Sequence, residues 1–365
     1  MIAILTSGVA LGVHVPGLLL ASRLGERGAE AVVEVIERLL PDDRLRMIEA
    51  SRSLFHRDFR AARAGQRLAA DPARAVDDAA LVALHRRWTG LGVRRVVVFS
   101  GFWLGVLERL SVLGLRLPEV TICHVDSVES PSFRRAGPVA AGTQVVRLAS
   151  AAGGDLPCTI PVTHRSPVLW DERDGRLLAH GGGWGMGTYR QRAADLSAEG
   201  HVLDLVVHEP QEAASAPAGT RAYLMDPSWH PWHDDGYPPL GLLAPGQDPG
   251  TVEFRRGTAH HSSFDLAREA TAMVSKPGGG TLLDSLWSAT PLVLLEPSGQ
   301  HEEHNARLWC DLGFGVRYEQ WREAGFDPEY LRPRHEALLA AVAGPARPRD
   351  VVEALCARKG SSCTR

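Results

Sequence analysis

Lysine is almost missing from this 365-residue chain: among its 40 basic residues only Lys276 and Lys359 are lysines, and the rest are arginines. Set against 43 acidic residues they leave a formal charge of −3, so no broad positive surface exists for nucleic acid or an anionic membrane to read. The arginine and alanine richness is compositional bias. Cysteine is scarce and scattered: Cys123, Cys158, Cys310, Cys356 and Cys363 are odd in number and contain no CxxC pair. That pattern argues against a disulfide framework or a structural zinc site, and for reduced thiols. No run of about 18 apolar residues occurs, so no segment is expected to span a bilayer. The opening MIAILTSG has no basic stretch ahead of its apolar run and turns to glycine at Gly8, which reads as a buried first strand rather than a signal peptide. There is no fixed-period repeat. These absences lead to the expectation of a soluble cytoplasmic protein.

Apolar residues make up 44% of the chain, which excludes global disorder, and the length suits two domains better than one. The first unit runs strand, glycine loop, helix. IAILT is a continuous apolar run, SGVALGVH the loop, and VPGLLLASRLGERG a helix with Pro16 near its start and Gly28 just past its end. AEAVVEVIERLL has the β-branched content of a strand and the length of a helix. A polar, arginine-rich helical stretch continues to about Trp88, with Asp77 and Asp78 ahead of AALVALHRRW. RRVVVFSGFW and EVTICHVD are further buried strands, separated by the helix LGVLERLSVLG. Residues 129–174 are rich in Gly, Pro and Ser and read as loops approaching a domain boundary. A second strand–glycine–helix unit begins at Leu177, residues 209–250 are loop-heavy, and alternation resumes through TAMVSKP, TLLDSLWSA and PLVLLEP. Such alternation implies parallel α/β layering. The expected architecture is two Rossmann-like doubly wound domains facing a cleft, residues 1–172 and 173–345, followed by a C-terminal helix and tail, 346–365.

Two glycine clusters stand out, AHGGGWGMGTY at 179–189 and VSKPGGGTLLDS at 274–285. Neither contains GxxxxGK[ST], since Lys276 precedes its glycines, and neither gives GxGxxG in register, since Met186 falls where the third glycine belongs. Glycines at a strand-to-helix turn still let backbone N–H groups approach a phosphate, and the helix N-terminus adds roughly half a positive charge. The alternative is a tight turn that packs helix on sheet. Two such turns in one domain favour the anion site.

KPGGGTLLDSLWSATPLVLLEP followed by HEEHNARLWCDLGFG resembles the donor-binding region of GT-B glycosyltransferases, including plant secondary-product and macrolide transferases and the peptidoglycan N-acetylglucosaminyltransferase. HGGGWGMG is similar to the glycine loop that opens the C-terminal domain in the lipid galactosyltransferase branch, and TSGVALGVHVP to the family's opening strand and Gly-His turn. The resemblance implies a donor site in which Gly279, Gly280 and Thr281 cradle the diphosphate, with Gly182 and Gly183 facing them and Ser275 at the strand end. It implies that Asp284, where the family usually has Glu, accepts the ribose hydroxyls. The family's Asp-Gln pair, which holds sugar hydroxyls, becomes His301 and Glu302, a departure that points to an unusual sugar or an altered site. Phosphate binding by main chain and dipoles requires no metal cluster, so neither metal nor cofactor is expected beyond the nucleotide-sugar co-substrate.

His14 follows a buried strand immediately before a helix, so it projects from the carboxyl edge of the sheet, where α/β proteins bind ligands. A positive helix terminus keeps its imidazole neutral, as a general base requires. The resemblance implies that His14 removes the acceptor proton with Asp126 as its partner, His124 and Glu129 being competitors. A loop histidine making a structural hydrogen bond is the other reading. Phe102 and Trp103, at a strand end, either line the acceptor cleft or pack in the core. In DPSWHPWHDDGY, Trp229, His230, Trp232, His233, Asp234 and Asp235 are dense enough to raise a metal site, yet their spacing fits loop packing better. His260 and His261 precede a helix capped by Ser262 or Ser263 and either end that helix or touch the donor. GVALG offers no GxSxG elbow, so a serine hydrolase has no support.

The expected function is therefore that of an inverting, metal-independent glycosyltransferase. It would use a nucleotide-diphosphate sugar and a small-molecule acceptor, in bacterial specialised metabolism. A nucleotide-sugar epimerase or hydrolase of the same fold, and a non-catalytic glycosyltransferase-like partner protein, are the alternatives. The nucleotide base, the sugar, the acceptor, the O-, N- or S-character of the bond and the oligomeric state are not readable from sequence.

Overall fold

In the computed structural model, which describes residues 1–68, 71–137, 139 and 142–357, the chain builds two parallel sheets. The five residues after Met1, Ile2–Thr6, form β1 and are all buried. Ile2 and Ile4 pack into one core with Leu18, Leu19 and Leu20, while Ala3 and Leu5 pack into another with Leu84, Trp88 and Trp103. That two-sided burial is why the run does not alternate with polar residues. β2 (Ala31–Val35), β3 (Arg95–Val98), β4 (Glu119–His124) and β5 (Gln144–Arg147) join it in the order β2-β1-β3-β4-β5, all parallel. The helices of this half ahead of β6 are, among the described residues, α1 (Leu11–Glu26), α2 (Asp42–Arg57), α3 (Phe59–Leu68), α4 (Asp78–Gly90), α5 (Phe102–Val112) and α6 (Pro131–Ala136).

After β6 (Cys158–Thr159) the second sheet contains β7 (Leu177–His180), β8 (Leu203–Val207), β9 (Arg221–Met225), β10 (Leu240–Leu243), β11 (Ala272–Ser275), β12 (Leu292–Leu294) and β13 (Gly315–Arg317). Their order is β10-β9-β8-β7-β11-β12-β13, with only the edge strand β10 antiparallel. Its helices are α7 (Tyr189–Ala198), α8 (Pro210–Ala214), α9 (Ser262–Glu269), α10 (Gly279–Ser288), α11 (Gln300–Asp311), α12 (Tyr318–Glu323) and α13 (Arg332–Ala343). Strand order reverses direction between β1 and β3 in the first sheet and between β7 and β11 in the second. Doubly wound sheets bind ligands outside the carboxyl ends of the strands at those two points. Both glycine clusters follow the strands that flank the second one.

Several local expectations are corrected. α1 begins at Leu11, so Pro16 lies inside it and denies the Gly12 carbonyl its helical donor. AEAVVEVIERLL divides into β2 and a single 3-10 turn, Ile36–Leu39. The segment read as loop, 129–174, also contains α6, β5 and β6, and 209–250 contains α8, β9 and β10. These pieces are too short for a period to show in sequence.

The chain passes from one half to the other between Val162 and Trp170. Arg23 of α1 holds the carbonyls of Pro161 and Val162 (2.9 and 2.8 Å), whereas Trp170 donates to Glu329 at 3.0 Å in the second half. At the other end, β14 (Arg349–Asp350) pairs with β6, and α14 (Val351–Ala357) returns to the first half. Arg27–Asp350 (3.0 Å) and Arg95 donating to the Leu355 carbonyl (3.0 Å) fasten it there. The rest of the expected tail, with Lys359 and Cys363, lies outside the described residues.

Candidate functional site

At the carboxyl end of β1 the chain turns through Ser7, Gly8 and Val9 into α1, and a single carboxylate holds the turn. Glu37 accepts from the Ser7 hydroxyl (2.6 Å) and from the Gly8 and Val9 amides (2.7 and 3.3 Å). It is 1% exposed, and burial raises its carboxyl above the ordinary range despite those hydrogen bonds. The turn carries its own hydrogen-bond acceptor.

His14 sits in the first turn of α1 rather than before it, with the Val13 and His14 amides already bonded to the Ala10 carbonyl. Thr6, the last residue of β1, donates its hydroxyl to the Glu34 carbonyl (3.2 Å) and lies 3.0 Å from His14 Nδ1. Its only hydrogen being spent, Thr6 accepts from Nδ1–H, so the lone pair of the neutral ring is on Nε2. Nε2 is buried and has no partner among the described residues. Burial, reinforced by Arg38 and opposed by Asp235, lowers the His14 pKa to about 3. Arg38 donates to the carbonyls of Pro231 and Asp234 (3.0 and 3.3 Å) and pairs with Asp235 (2.7 Å), drawing the 226–237 loop over the ring. Trp229 of that loop lies 6.4 Å from His14, ring to ring. Trp229 Nε1 and Tyr237 Oη are buried without partners as well.

In the facing crevice, α10 starts at Gly279 with Gly278 in the cap position and no side chain capping it. Among the described residues no side chain hydrogen-bonds its first amides, although two carboxylates flank them: a Cβ on Gly279 would lie 2.9 Å from Asp126 Oδ1 and one on Gly278 3.6 Å from Glu302 Oε1. Lys276 Nζ donates to Glu302 Oε1 (2.5 Å), whose other oxygen accepts from the Ser298 amide (2.6 Å). Burial pushes the Glu302 carboxyl up, but the Lys276 charge, His301 and these hydrogen bonds hold it below the usual range. A Cβ on Gly278 would lie 3.4 Å from Nζ and one on Gly182 3.9 Å from it, so the ammonium stands between the two glycine turns. Beside them, His261 Nε2 donates to Asp284 Oδ1 (3.0 Å). Burial lowers His180 to about 4, with Asp284 opposing and Lys276 and His261 adding.

The two halves meet glycine against glycine. A Cβ on Gly280 would lie 3.2 Å from Gly12 Cα, one on Gly279 2.8 Å from Val125, and one on Gly183 inside the Leu11 side chain. Asn305 donates to Asp126 Oδ1 (2.8 Å) and to the Pro277 carbonyl (2.9 Å) while accepting from the Ser127 amide (2.8 Å), so it clamps one half to the other. His56 of α2 reaches across to the Gly185 carbonyl (2.9 Å) and Glu212 (2.7 Å). Gly185, at φ 60°, leaves the room that His56 and His208 occupy. The void between Val125, Leu148, Gly279 and Trp309 is about 10 Å3, room for one water at most.

No protein family profile and no curated protein sequence matches the chain. Solved structures do. The glycosyltransferase SsfS6 of Streptomyces sp. SF2575, complexed with thymidine diphosphate, superposes with a TM-score of 0.59 at 16% identity, over 99% of this chain and 100% of that one. The glycosyltransferase SnogD of Streptomyces nogalater gives 0.54 at 15% identity, over 99% of both. The spinosyn rhamnosyltransferase SpnG gives 0.53 at 13% identity, over 99% and 100%. The fold is GT-B. The expected architecture of two Rossmann-like domains is the observed one.

Within the GT-B frame, the structure brings His14, Gly182, Gly183, Ser275, Gly279, Gly280, Thr281, Asp284, His301 and Glu302 to the facing carboxyl edges of the two sheets. It does not pair Asp126 with His14: Asp126 accepts from Asn305, and His14 donates to Thr6 where a carboxylate was expected. Neither His124 nor Glu129 replaces it; His124 packs edge-on against Phe133 (4.4 Å) and Glu129 is exposed. Trp103 is fully buried, donates to the Thr6 carbonyl (2.7 Å) and packs on Trp88, so it belongs to the core, and Phe102 packs against the same core. Glu302 is engaged by Lys276, and one oxygen of Asp284 by His261. α9 starts at Ser262 with His261 in the cap position, so neither serine caps it. Among the described residues no group of three or more His, Cys, Asp or Glu side chains is placed to hold a metal ion, and no helix is long and apolar enough to cross a membrane. Lys276, Thr6 and Asn305 were not singled out beforehand. The one usable signal was the rarity of lysine.

Proposed function

We propose that the chain is a glycosyltransferase that moves a sugar from a nucleoside-diphosphate donor to a small-molecule acceptor, with inversion and without a metal ion. The observation that carries this reading is the contrast across the cleft: an uncapped helix terminus and an ammonium on the C-terminal side, and a neutral histidine with a free Nε2 lone pair on the N-terminal side. SsfS6, of the same fold, was solved with thymidine diphosphate, which supports a nucleoside diphosphate as the ligand of the C-terminal crevice. Names such as spinosyn rhamnosyltransferase support a natural-product acceptor.

In this mechanism the acceptor's nucleophilic atom gives its proton to His14 Nε2 and attacks the anomeric carbon from the face opposite the leaving group. The bond from that carbon to the diphosphate breaks, and its electron pair leaves with the nucleoside diphosphate. The α10 amides and Lys276 stabilise the charge that develops there. Thr6 keeps the proton on Nδ1, so that Nε2 is the basic nitrogen. Since Gly279, Gly280 and Gly183 press against the N-terminal half, substrates enter only when the halves part, and reclosure excludes water.

A thermal-shift panel of UDP, dTDP, GDP and ADP on the wild type, His14→Ala and Asp284→Ala tests the reading. One nucleotide is expected to raise the melting temperature of the wild type and of His14→Ala, and to do so less for Asp284→Ala. If none does, the reading fails. If Asp284→Ala responds like the wild type, the ribose contact is misassigned.

A further inference from the structure

A cavity of about 710 Å3 opens between the halves, within the size range of small-molecule sites. Arg63 of α3 and Arg134 and Arg135 of α6 line one side, and Gln300, His301 and Glu303 the other. In a protein with net charge −3 this concentration of guanidinium groups is local. Arg63 makes no side-chain hydrogen bond or ion pair among the described residues, and Arg134 makes one long contact, 3.4 Å, to the neutral Gln300 amide oxygen. The lining carboxylate does not offset Arg63 and Arg134, because Glu303 is matched by Arg307 (3.0 Å) and Arg317 (2.8 Å). The 12-residue α11 begins at the same wall, but Glu302 and Glu303 in its first turn already answer its positive end, so the arginines are the chamber's source of positive charge. Neither Lys276 nor the 278–281 turn lines the cavity, so it is separate from the crevice assigned above to the diphosphate.

We propose that this chamber receives a carboxylate of the substrate, carried either by the donor sugar, as in a uronic acid, or by the acceptor. The inference rests on the glycosyl-transfer reading for the identity of those substrates. Guanidinium forks suit a planar carboxylate, which accepts two parallel hydrogen bonds from one arginine.

Calorimetric titration of the whole chain distinguishes the two sources. One arm compares UDP-glucuronate with UDP-glucose, or the dTDP pair if dTDP is the nucleotide bound. The other compares benzoate with benzamide, with and without saturating nucleoside diphosphate. The expected result is a preference of about tenfold or more for the carboxylate in one arm. In Arg63→Ala/Arg134→Ala that preference is expected to collapse to within about twofold, with plain UDP or dTDP affinity and melting temperature unchanged, and Arg134→Lys is expected to retain part of it. A gap in the first arm assigns the carboxylate to the sugar, and a gap in the second assigns it to the acceptor. Equal binding within both pairs overturns the proposal, as does a double variant that loses affinity for the plain nucleoside diphosphate as much as for the glucuronate. If no nucleoside diphosphate binds, it is the glycosyl-transfer reading that has failed. The benzoate pair without nucleotide then decides alone whether the chamber is a carboxylate site.

Discussion

The turn after β1 and the turn after β11 hold the same station in two doubly wound sheets, each a strand end leading into a helix beside a topological switch point. Their amides meet opposite surroundings. In the first, Glu37 supplies a buried carboxylate that already occupies the Gly8 and Val9 N–H groups. In the second, α10 has no side-chain cap and Lys276 stands beside it. Glycine content would not have separated them, since both turns use glycine for close approach of another chain segment. What separates them is whether a side chain already takes up the amides of the turn. A turn whose amides are already bonded to a carboxyl has no use for a phosphate, whereas one whose first amides have no side-chain partner does.

The largest expected effect falls on both turns at once. His14 beside the first and His180 beside the second are held neutral to about 3 and about 4, and His124 to about 4, chiefly by burial. As pH falls below 6.5 the unfolded chain takes up protons that the folded chain refuses, so stability drops until those lower values are passed. One pH unit of such a difference is worth about 1.4 kcal/mol per group, and urea midpoints measured from pH 7 to pH 4 are expected to fall steeply. A flat profile would mean that these rings are protonated in the fold. Next in size, Lys276→Met should weaken nucleoside diphosphate binding by about thirtyfold or more and destabilise the fold by about 3 kcal/mol, because Glu302 is left buried without its counter-charge. Calorimetry and denaturant melts read the two effects. Thr6→Val should lower turnover about tenfold by freeing the His14 tautomer, with nucleotide affinity unchanged within about twofold. Smallest is Glu37→Gln, which keeps a hydrogen-bonding group at the N-terminal turn. It should cost about 1 kcal/mol and leave nucleotide affinity alone. Because the folded Glu37 pKa is raised above 4.5, any stability it contributes is fully present below pH 4.5 and is lost as pH rises through the folded value. Glu37→Gln should remove that slope.

Much of the architecture was legible. Unbroken apolar runs such as Ile2–Leu5 and the two strand–glycine units identify buried parallel strands and their crossovers, two doubly wound domains follow from their order, and GT-B was implied by the resemblance of KPGGGTLLDSLWSATPLVLLEP to that family. The placement of His14 at a carboxyl edge was readable for the same reason. Its chemistry was not, because the hydrogen bond that sets the tautomer runs to Thr6, eight residues back, and depends on the Glu34 carbonyl of the neighbouring strand. Asn305 and Asp126 are 179 positions apart, and only the closed arrangement of the halves makes them partners. Trp103 looked equally suited to cleft or core, and a strand end reads the same in sequence whether the ring turns in or out. Lys276 was visible as a rarity, but its place between two glycine turns needed both sheets to be folded.

The most direct test is diffraction from crystals of the chain grown with the nucleoside diphosphate that raises its melting temperature. The account predicts phosphate density within hydrogen-bond reach of Lys276 Nζ and the 278–281 amides, with Glu37 still closing the turn after β1. Density at Gly8 and Val9 with Glu37 displaced would contradict it.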